Sequence, residues 1–485
     1  MDDITRFLPE LIVLVTAGLV VLVDLFVPDK RVLPWLTLLG LAVSAGWTVG
    51  LIVAGGQGRA FGDMLRVDAF SLFFLFLFQA VAAVVVLSAI DFVGQMPDRQ
   101  GEFYALVLTV ATGAMLLSGA NDLIMIFISL ELTSISQYAL AGFMRDSRSS
   151  EAGLKYLLLG AVSTATLLYG MALLFGLTGT TALPGIATAL HSASDNLRPA
   201  YLLAATLLAA GFGFKMAIFP FQMWVPDVYE GAPTPVSAYL SVASKAAAFA
   251  IVLRIFFEAL GDSRISSEWA NLFAVLAAIS MTLGNVVAIQ QRNIKRLFGY
   301  SSVAQAGNFL VGIAAVSASS GRFTIGASGV LFFVAAYAFT NLGAFLAIIA
   351  ISDAIGSENI ADYAGLGRRA PWLAAILAFC LVSLTGLPPT AGFFAKVYIF
   401  NAAIQAKFVW LVVIAVLNTL VSAVYYLGVL RVMYLGESKA EGRVRAGLPI
   451  SFGMAVSALG VLVFGVAPGP LLTAAQKAAD VFAVH

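Results

Sequence analysis

A few ionisable residues stand inside long apolar runs of this sequence: Glu131, Lys215, Lys245 and Lys396. Their spacing holds no metal or nucleophile motif. Their chemistry is proton binding. A lysine taken out of water gives up its proton readily, because burial disfavours the charged form. A carboxylate nearby reverses that preference. Glu131 beside Lys215 would hold the ammonium; withdrawn, it would release the proton. Lowering a lysine pKa by three units takes about 4 kcal/mol. Moving a proton against about 150 mV takes about 3.5 kcal/mol. The two energies match.

These residues must sit on elements that cross a bilayer. Of the 485 residues, 61% are apolar and 11% charged, where a soluble domain is nearer a quarter charged. The apolar runs have bilayer-spanning length. About fourteen spans are expected, at 8–27, 33–54, 68–94, 103–119, 122–143, 152–177, 200–229, 235–258, 269–291, 295–315, 324–351, 371–403, 408–435 and 448–467. The fold class is therefore all-α integral membrane. The start, Met1-Asp2-Asp3, is acidic and no cleavage site follows, so span 1 is expected to be retained.

Spans 7 and 12 exceed the bilayer requirement and carry proline inside: Pro220 in one, Pro388 and Pro389 in the other. Proline removes a backbone hydrogen bond and clashes with the preceding turn, so both read as broken helices. They lie five spans apart. Two five-span units, spans 4–8 and 9–13, would then have opposite topology, the inverted-repeat pattern of transporters. Ser134-Ile135-Ser136-Gln137 in span 5 and Ser302-Val303-Ala304-Gln305 in span 10 form a weak echo. The expected organisation is 1–100 (spans 1–3), 101–260 (first repeat), 261–436 (second repeat) and 437–485 (span 14 and tail).

Loops after odd-numbered spans hold fourteen lysines and arginines; the other loops and termini hold eight. The positive-inside rule places the odd loops in the cytoplasm and both termini outside. Net charge is +1, which leaves no electrostatic footprint for nucleic acid. Cys380 is the one cysteine, and the histidines are His191 and His485. An iron–sulfur cluster needs several thiolates, so no metal or redox cofactor is expected in this chain. Cys380 reads as a packing residue.

Placing four charges near the bilayer centre costs about 10 kcal/mol or more, so they must face protein or water. Each has a plainer reading. Glu131 and a lysine would form a static buried pair, and Lys396 would reach an interface beside its break. Arg254 and Arg431, nearer span ends, read as snorkelling anchors. Asp68 reads as a charge against a helix dipole, and Glu151 with Lys155 as a helix-edge pair. Serines and threonines such as Ser134, Ser163, Thr164, Ser301, Ser302, Ser383 and Thr385 would line a hydrated path or pack helices.

At these residues the chain resembles the antiporter-like membrane subunits of respiratory complex I (NADH-quinone oxidoreductase), within them the N type. The segments are EFYALVLTVATGAMLLSGANDLIMIFISLELTSISQYAL (102–140), EAGLKYLLLGAVSTA (151–165), GFKMAIFPFQMWVPDVYEGAPTPVSAYLSVASK (213–245), NIKRLFGYSSVAQAG (293–307) and LPPTAGFFAKVYIF (387–400). The resemblance runs from about residue 60 to 435. The N type is favoured by Lys396, where the M type carries glutamate, and by the tyrosine of VPDVYEGAP, where L and M types carry histidine. No long lateral helix follows span 14, as the L type would show.

The resemblance implies a proton-translocating subunit with a hydrophilic axis of Glu131, Lys215, Lys245 and Lys396, Lys155 being accessory. It implies the bacterial inner membrane, neighbouring antiporter-like and small membrane subunits, and FMN, iron–sulfur clusters and quinone elsewhere in the complex. Gln222 and Gln305 depart from it, since relatives often have histidine there. Glutamine relays hydrogen bonds but takes no proton near neutrality, so water, Tyr300 or Ser301 would have to bridge. The alternative is a subunit of a multi-subunit cation/proton antiporter. A third is an inert scaffold, in which the lysines would tolerate alanine.

Overall fold

The computed structural model describes residues 2–315, 324–437, 442 and 444–483. Arg322, Lys439, Arg443 and His485, used above for orientation or in expecting no metal or redox cofactor, lie outside the described residues. The helices are α1 Asp3–Phe26, α2 Val32–Val53, α3 Ala69–Gly94, α4 Gln100–Gly119, α5 Leu123–Ala141, α6 Ser147–Thr178, α7 Leu183–Ser192, α8 Arg198–Met216 and α9 Trp224–Gly231. Then follow α10 Thr234–Ala259, α11 Ser263–Ala288, α12 Ile294–Ala314, α13 Thr324–Ile355, α14 Pro371–Thr385, α15 Ala391–Gln405, α16 Val409–Leu435, α17 Leu448–Val466 and α18 Gly469–Ala479.

Short polar residues start many of these helices. Asp122, Asp146 and Asn293 accept the backbone N–H of Ile124, Ser149 and Arg296 at 2.8, 2.7 and 3.1 Å, each satisfying a first-turn donor that the helix leaves open. Asp68 does the same for Ser71 at 2.8 Å.

Among the described residues twelve helices are long and apolar enough to cross a membrane. The chain is therefore a predominantly helical, multi-pass membrane protein. Of the expected spans, 295–315 and 371–403 fall outside the twelve. The first begins with Lys295 and Arg296, and the second is divided into α14 and α15, of 15 residues each.

Both proline breaks are present. α8 ends where Ala217 turns left-handed (φ +63°), and α9 begins at Trp224, with Pro220 between. α14 ends at left-handed Gly386 (φ +88°) and α15 begins at Ala391, with Pro388 and Pro389 between. Such a turn returns the last carbonyls to the chain's own N–H groups.

Three elements went unforeseen. A hairpin of β1 Gly58–Ala60 and β2 Leu65–Val67 is antiparallel, with Gly58 opposite Val67. Arg6 ties α1 to it through the carbonyls of Gly56 and Arg59, at 3.3 and 2.9 Å. α7 and α18 are 10 and 11 residues long, too short to have read as spans.

α10 and α13 form the centre. α10 is buried from Pro235 to its end. It is not a regular helix: π-helical turns at Leu240–Ser244 and Ile255–Ala259 bracket the ten residues Lys245–Arg254. Such turns leave carbonyls imperfectly paired and mark functional stretches of helices. Small residues bring neighbouring helices together. A Cβ on Gly284 of α11 would lie 2.6 Å from the backbone nitrogen of Ala304 on α12, so that contact admits only glycine.

Candidate functional site

Lys215 occupies the last turn of α8, immediately before the first break. It is buried, and its Nζ lies 3.4 Å from the Tyr156 hydroxyl on α6. The ring centroids of Tyr138 and Tyr156 are each 5.1 Å away, within cation–π range. The Tyr156 hydroxyl donates to Gln137 Oε1 at 2.9 Å, and its ring stacks on Trp224 at 4.3 Å. Trp224 opens α9 and donates to the carbonyl of Phe214 on α8 at 3.0 Å, holding the two halves of the broken helix together.

Glu131 is half-buried on α5 and accepts from Thr164 at 2.8 Å. It forms no ion pair with Lys215. Lys215, Lys245 and Lys396 all lack an ion pair among the described residues. The static-pair reading of Glu131 therefore does not hold.

Lys245 begins the regular segment of α10 just after the first π-turn. Its ammonium donates to the carbonyl and hydroxyl oxygens of Ser302 on α12. The same hydroxyl meets Tyr229 at 3.1 Å and Tyr337 at 3.5 Å. Tyr229 is on α9, its ring 6.3 Å from that of Trp224. The surroundings of Lys215 and Lys245 are thus joined through Tyr156, Trp224, Tyr229 and Ser302.

Lys396 lies on α15 after the second break. It is buried, donates to the carbonyl of Thr385 at 2.8 Å and to Thr419 at 3.2 Å, and packs along Gly386. Its ammonium ends on these groups inside the protein. Gln305 donates to the carbonyl of Leu384, one residue before Thr385, at 3.0 Å. Gln137 accepts from the Tyr156 hydroxyl that Lys215 meets, whereas Gln305 reaches the residue preceding the Thr385 that Lys396 meets.

The remaining expected residues divide. Ser301 pairs with the Tyr426 hydroxyl. Tyr300 is half-buried and its hydroxyl has no hydrogen bond among the described residues, so it does not bridge here. Gln222 is buried in the first break, its Oε1 without a hydrogen-bond partner. Lys155 lies outside the buried axis, at the start of α6, paired with Glu151 and with Asp227 of α9, both at 2.8 Å. Its helix-edge pair is real, and it also anchors the far half of the broken helix. Arg296 of α12 meets Asp227 at 2.6 Å and Glu230 at 3.0 Å. Lys295 meets Glu358 at 2.9 Å.

Arg254 corrects its sequence reading. It is not a snorkelling anchor: it is fully buried and donates to the carbonyl of Ser118, to Asp68 at 2.8 Å and to Glu258 at 3.3 Å. Arg66 joins the same two carboxylates at 3.0 and 3.3 Å. Asp68 thus caps α3 and also belongs to a balanced cluster of four charges. Arg431 is exposed, as an anchor would be.

Tyr156, Tyr337, Trp224, Tyr426 and Thr419 were missed. An aromatic hydroxyl inside an apolar span carries no charge to signal it. Glu10 was missed too, since it stands near the start of its span; it is buried, with Oε2 unpartnered. The residues do not fit an iron–sulfur cluster or haem. Cys380 is fully buried alone, and no group of three or more His, Cys, Asp or Glu among the described residues is placed to hold a metal.

Broken helices carrying buried lysines, around a central irregular helix, define an antiporter-like membrane protein. A family model described as NADH:quinone oxidoreductase/Mrp antiporter, TM, matches residues 120–422. A Dehalococcoides mccartyi protein named NADH-quinone oxidoreductase subunit N is 45% identical over 480 residues, 98% of this chain and 99% of that one. The chain belongs to the NADH-quinone oxidoreductase subunit N family. A chain of respiratory complex I from Thermus thermophilus is 33% identical with a TM-score of 0.79, covering 96% of this chain and 98% of that one. A chain of the Mrp complex from Dietzia shares the fold at TM-score 0.87 and 20% identity, covering 99% and 98%.

Proposed function

We propose that this chain is a proton-translocating membrane subunit of NADH-quinone oxidoreductase. The observation that carries the reading is the state of Lys215, Lys245 and Lys396. Each is buried and faces hydroxyls, aromatic rings or backbone carbonyls, with no carboxylate in contact among the described residues. A static structural ion would be paired. A lysine held by neutral oxygens is poised to change its protonation. Glu131, on Thr164, supplies the charge whose approach to Lys215 would favour the ammonium.

Protons pass between Lys215, Lys245 and Lys396 through water and through the hydroxyls of Tyr156, Ser302 and Ser301, with Gln137 and Gln305 orienting them. Lys155 is accessory, and Tyr300, without a hydrogen bond among the described residues, would join only through water. The breaks at Pro220 and at Pro388-Pro389 free backbone groups that hold water. Residues 101–260 and 261–436 are the two inverted units, flanked by 1–100 and 437–485. The odd-numbered loops face the cytoplasm and both termini the periplasm. The chain holds no cofactor. FMN, iron–sulfur clusters and quinone belong to other subunits, and energy arrives laterally through neighbouring membrane subunits.

Purification of the tagged chain in mild detergent tests the assignment. Flavin and iron–sulfur subunits should co-purify with donor-dependent quinone reductase activity. Recovery with small hydrophobic subunits only, no redox activity and sodium-dependent proton flux would replace it with the cation/proton antiporter reading.

A further inference from the structure

Arg368, Arg369 and Arg445 surround a cavity of about 470 Å³ at one end of the helix array. Among the described residues no acidic side chain lines it, and none of the three arginines makes an ion pair. That sets them apart from Arg148, Lys155, Lys295 and Arg296, all matched by carboxylates. The site is braced by its own backbone. Arg369 Nε donates to the carbonyl of Gly442 at 3.0 Å, and Val444 N donates to the carbonyl of Arg369 at 3.4 Å.

Two helix N-termini meet here: α14 begins at Pro371, and Ser451, in the first turn of α17, lines the same cavity. Open N–H groups and the helix dipole favour an anion at such ends. The flank is apolar, with Trp372 59% and Leu448 87% exposed. An exposed tryptophan beside arginines is the composition of a membrane–water interface.

We propose that this cavity binds the phosphate of an anionic phospholipid. The guanidinium groups would take the phosphodiester oxygens, for which their planar forks are suited, and Trp372 and Leu448 would lie against the acyl chains. A basic pocket between membrane helices is the usual receptor for such headgroups. A soluble phosphate would use the same donors but would gain nothing from the apolar flank.

Native mass spectrometry of the delipidated complex, titrated with phosphatidylglycerol, tests this. The R368Q/R369Q/R445Q variant should bind it about a hundredfold more weakly at the affected site, each basic residue near an anionic surface contributing about fivefold. Arg445→Gln alone, which removes one exposed side chain, should lose about fivefold. Arg59→Gln, on the hairpin, should bind as the parent does. Equal phosphatidylglycerol affinity in parent and triple variant would overturn the proposal. So would equal affinity of the parent for phosphatidylcholine, or full displacement of the lipid by millimolar inorganic phosphate, which would make this a soluble-anion site.

Discussion

Lys215 reaches Tyr156 rather than Glu131. Its ammonium lies 3.4 Å from the tyrosine oxygen, while Glu131 is engaged with Thr164 at 2.8 Å. The tyrosine hydroxyl has its own acceptor in Gln137, so its oxygen is free to accept from the lysine. Tyr156→Phe should keep the ring against Lys215 and Trp224 but remove this relay. Proton pumping per electron should fall several-fold, with assembly and quinone reduction preserved. Unchanged pumping in proteoliposomes would take Tyr156 out of the path.

Arg254 should matter for stability rather than transport. Removing one partner from a buried ion cluster leaves the others uncompensated, at a cost of about 3–5 kcal/mol. Arg254→Ala would leave Asp68 and Glu258, two carboxylates, with Arg66 as their one basic partner. Thermal unfolding in detergent and the yield of assembled complex should both drop. A variant as stable as the parent would mean that water compensates the carboxylates.

Gly386 combines a left-handed backbone with contact to Lys396. At φ +88°, any side chain is strained, and a Cβ would come 2.9 Å from Lys396 Cδ. Gly386→Ala should destabilise by about 1 kcal/mol or more and move the ammonium off Thr385. The pumping defect should then exceed the stability defect, measured on the same preparation.

Glu358 gives the chain an acid limit. Burial alone would push its carboxyl up. The Lys295 ammonium, the hydrogen bonds from Lys295 and Asn293, and Arg148 outweigh burial and hold it below the ordinary value. The unfolded chain therefore binds the proton more readily. The resulting stability is complete above the ordinary carboxylate value of about 4.3 and is lost as pH falls through the lower folded value. Glu358→Gln should lower the melting temperature at pH 7 and flatten its decline below about pH 4.5. A parallel decline in both proteins would remove Glu358 as its source.

Much of this was legible in the sequence, and the rest was hidden for definite reasons. Apolar runs announce themselves, because a bilayer imposes their length. Pro220, Pro388 and Pro389 mark the breaks, because proline cannot continue a helix. Lys215, Lys245 and Lys396 stand out because charge at membrane depth is costly. Arg254 was misread because distance from a span's end cannot reveal that Asp68, 186 residues away in sequence, closes on it. The π-turns of α10 leave no mark, since the residues around Lys245 suit any helix. Tyr156, Tyr337 and Trp224 look like ordinary apolar bulk until the helices are packed.

The central claim is that lysines without carboxylate partners carry protons through this chain. Its most direct test is proton uptake per NADH oxidised, in proteoliposomes of the assembled complex carrying Lys215→Ala or Lys245→Ala. Both variants should assemble fully and pump far fewer protons per electron. Full assembly with normal pumping in both would contradict the claim and leave the lysines as structure alone.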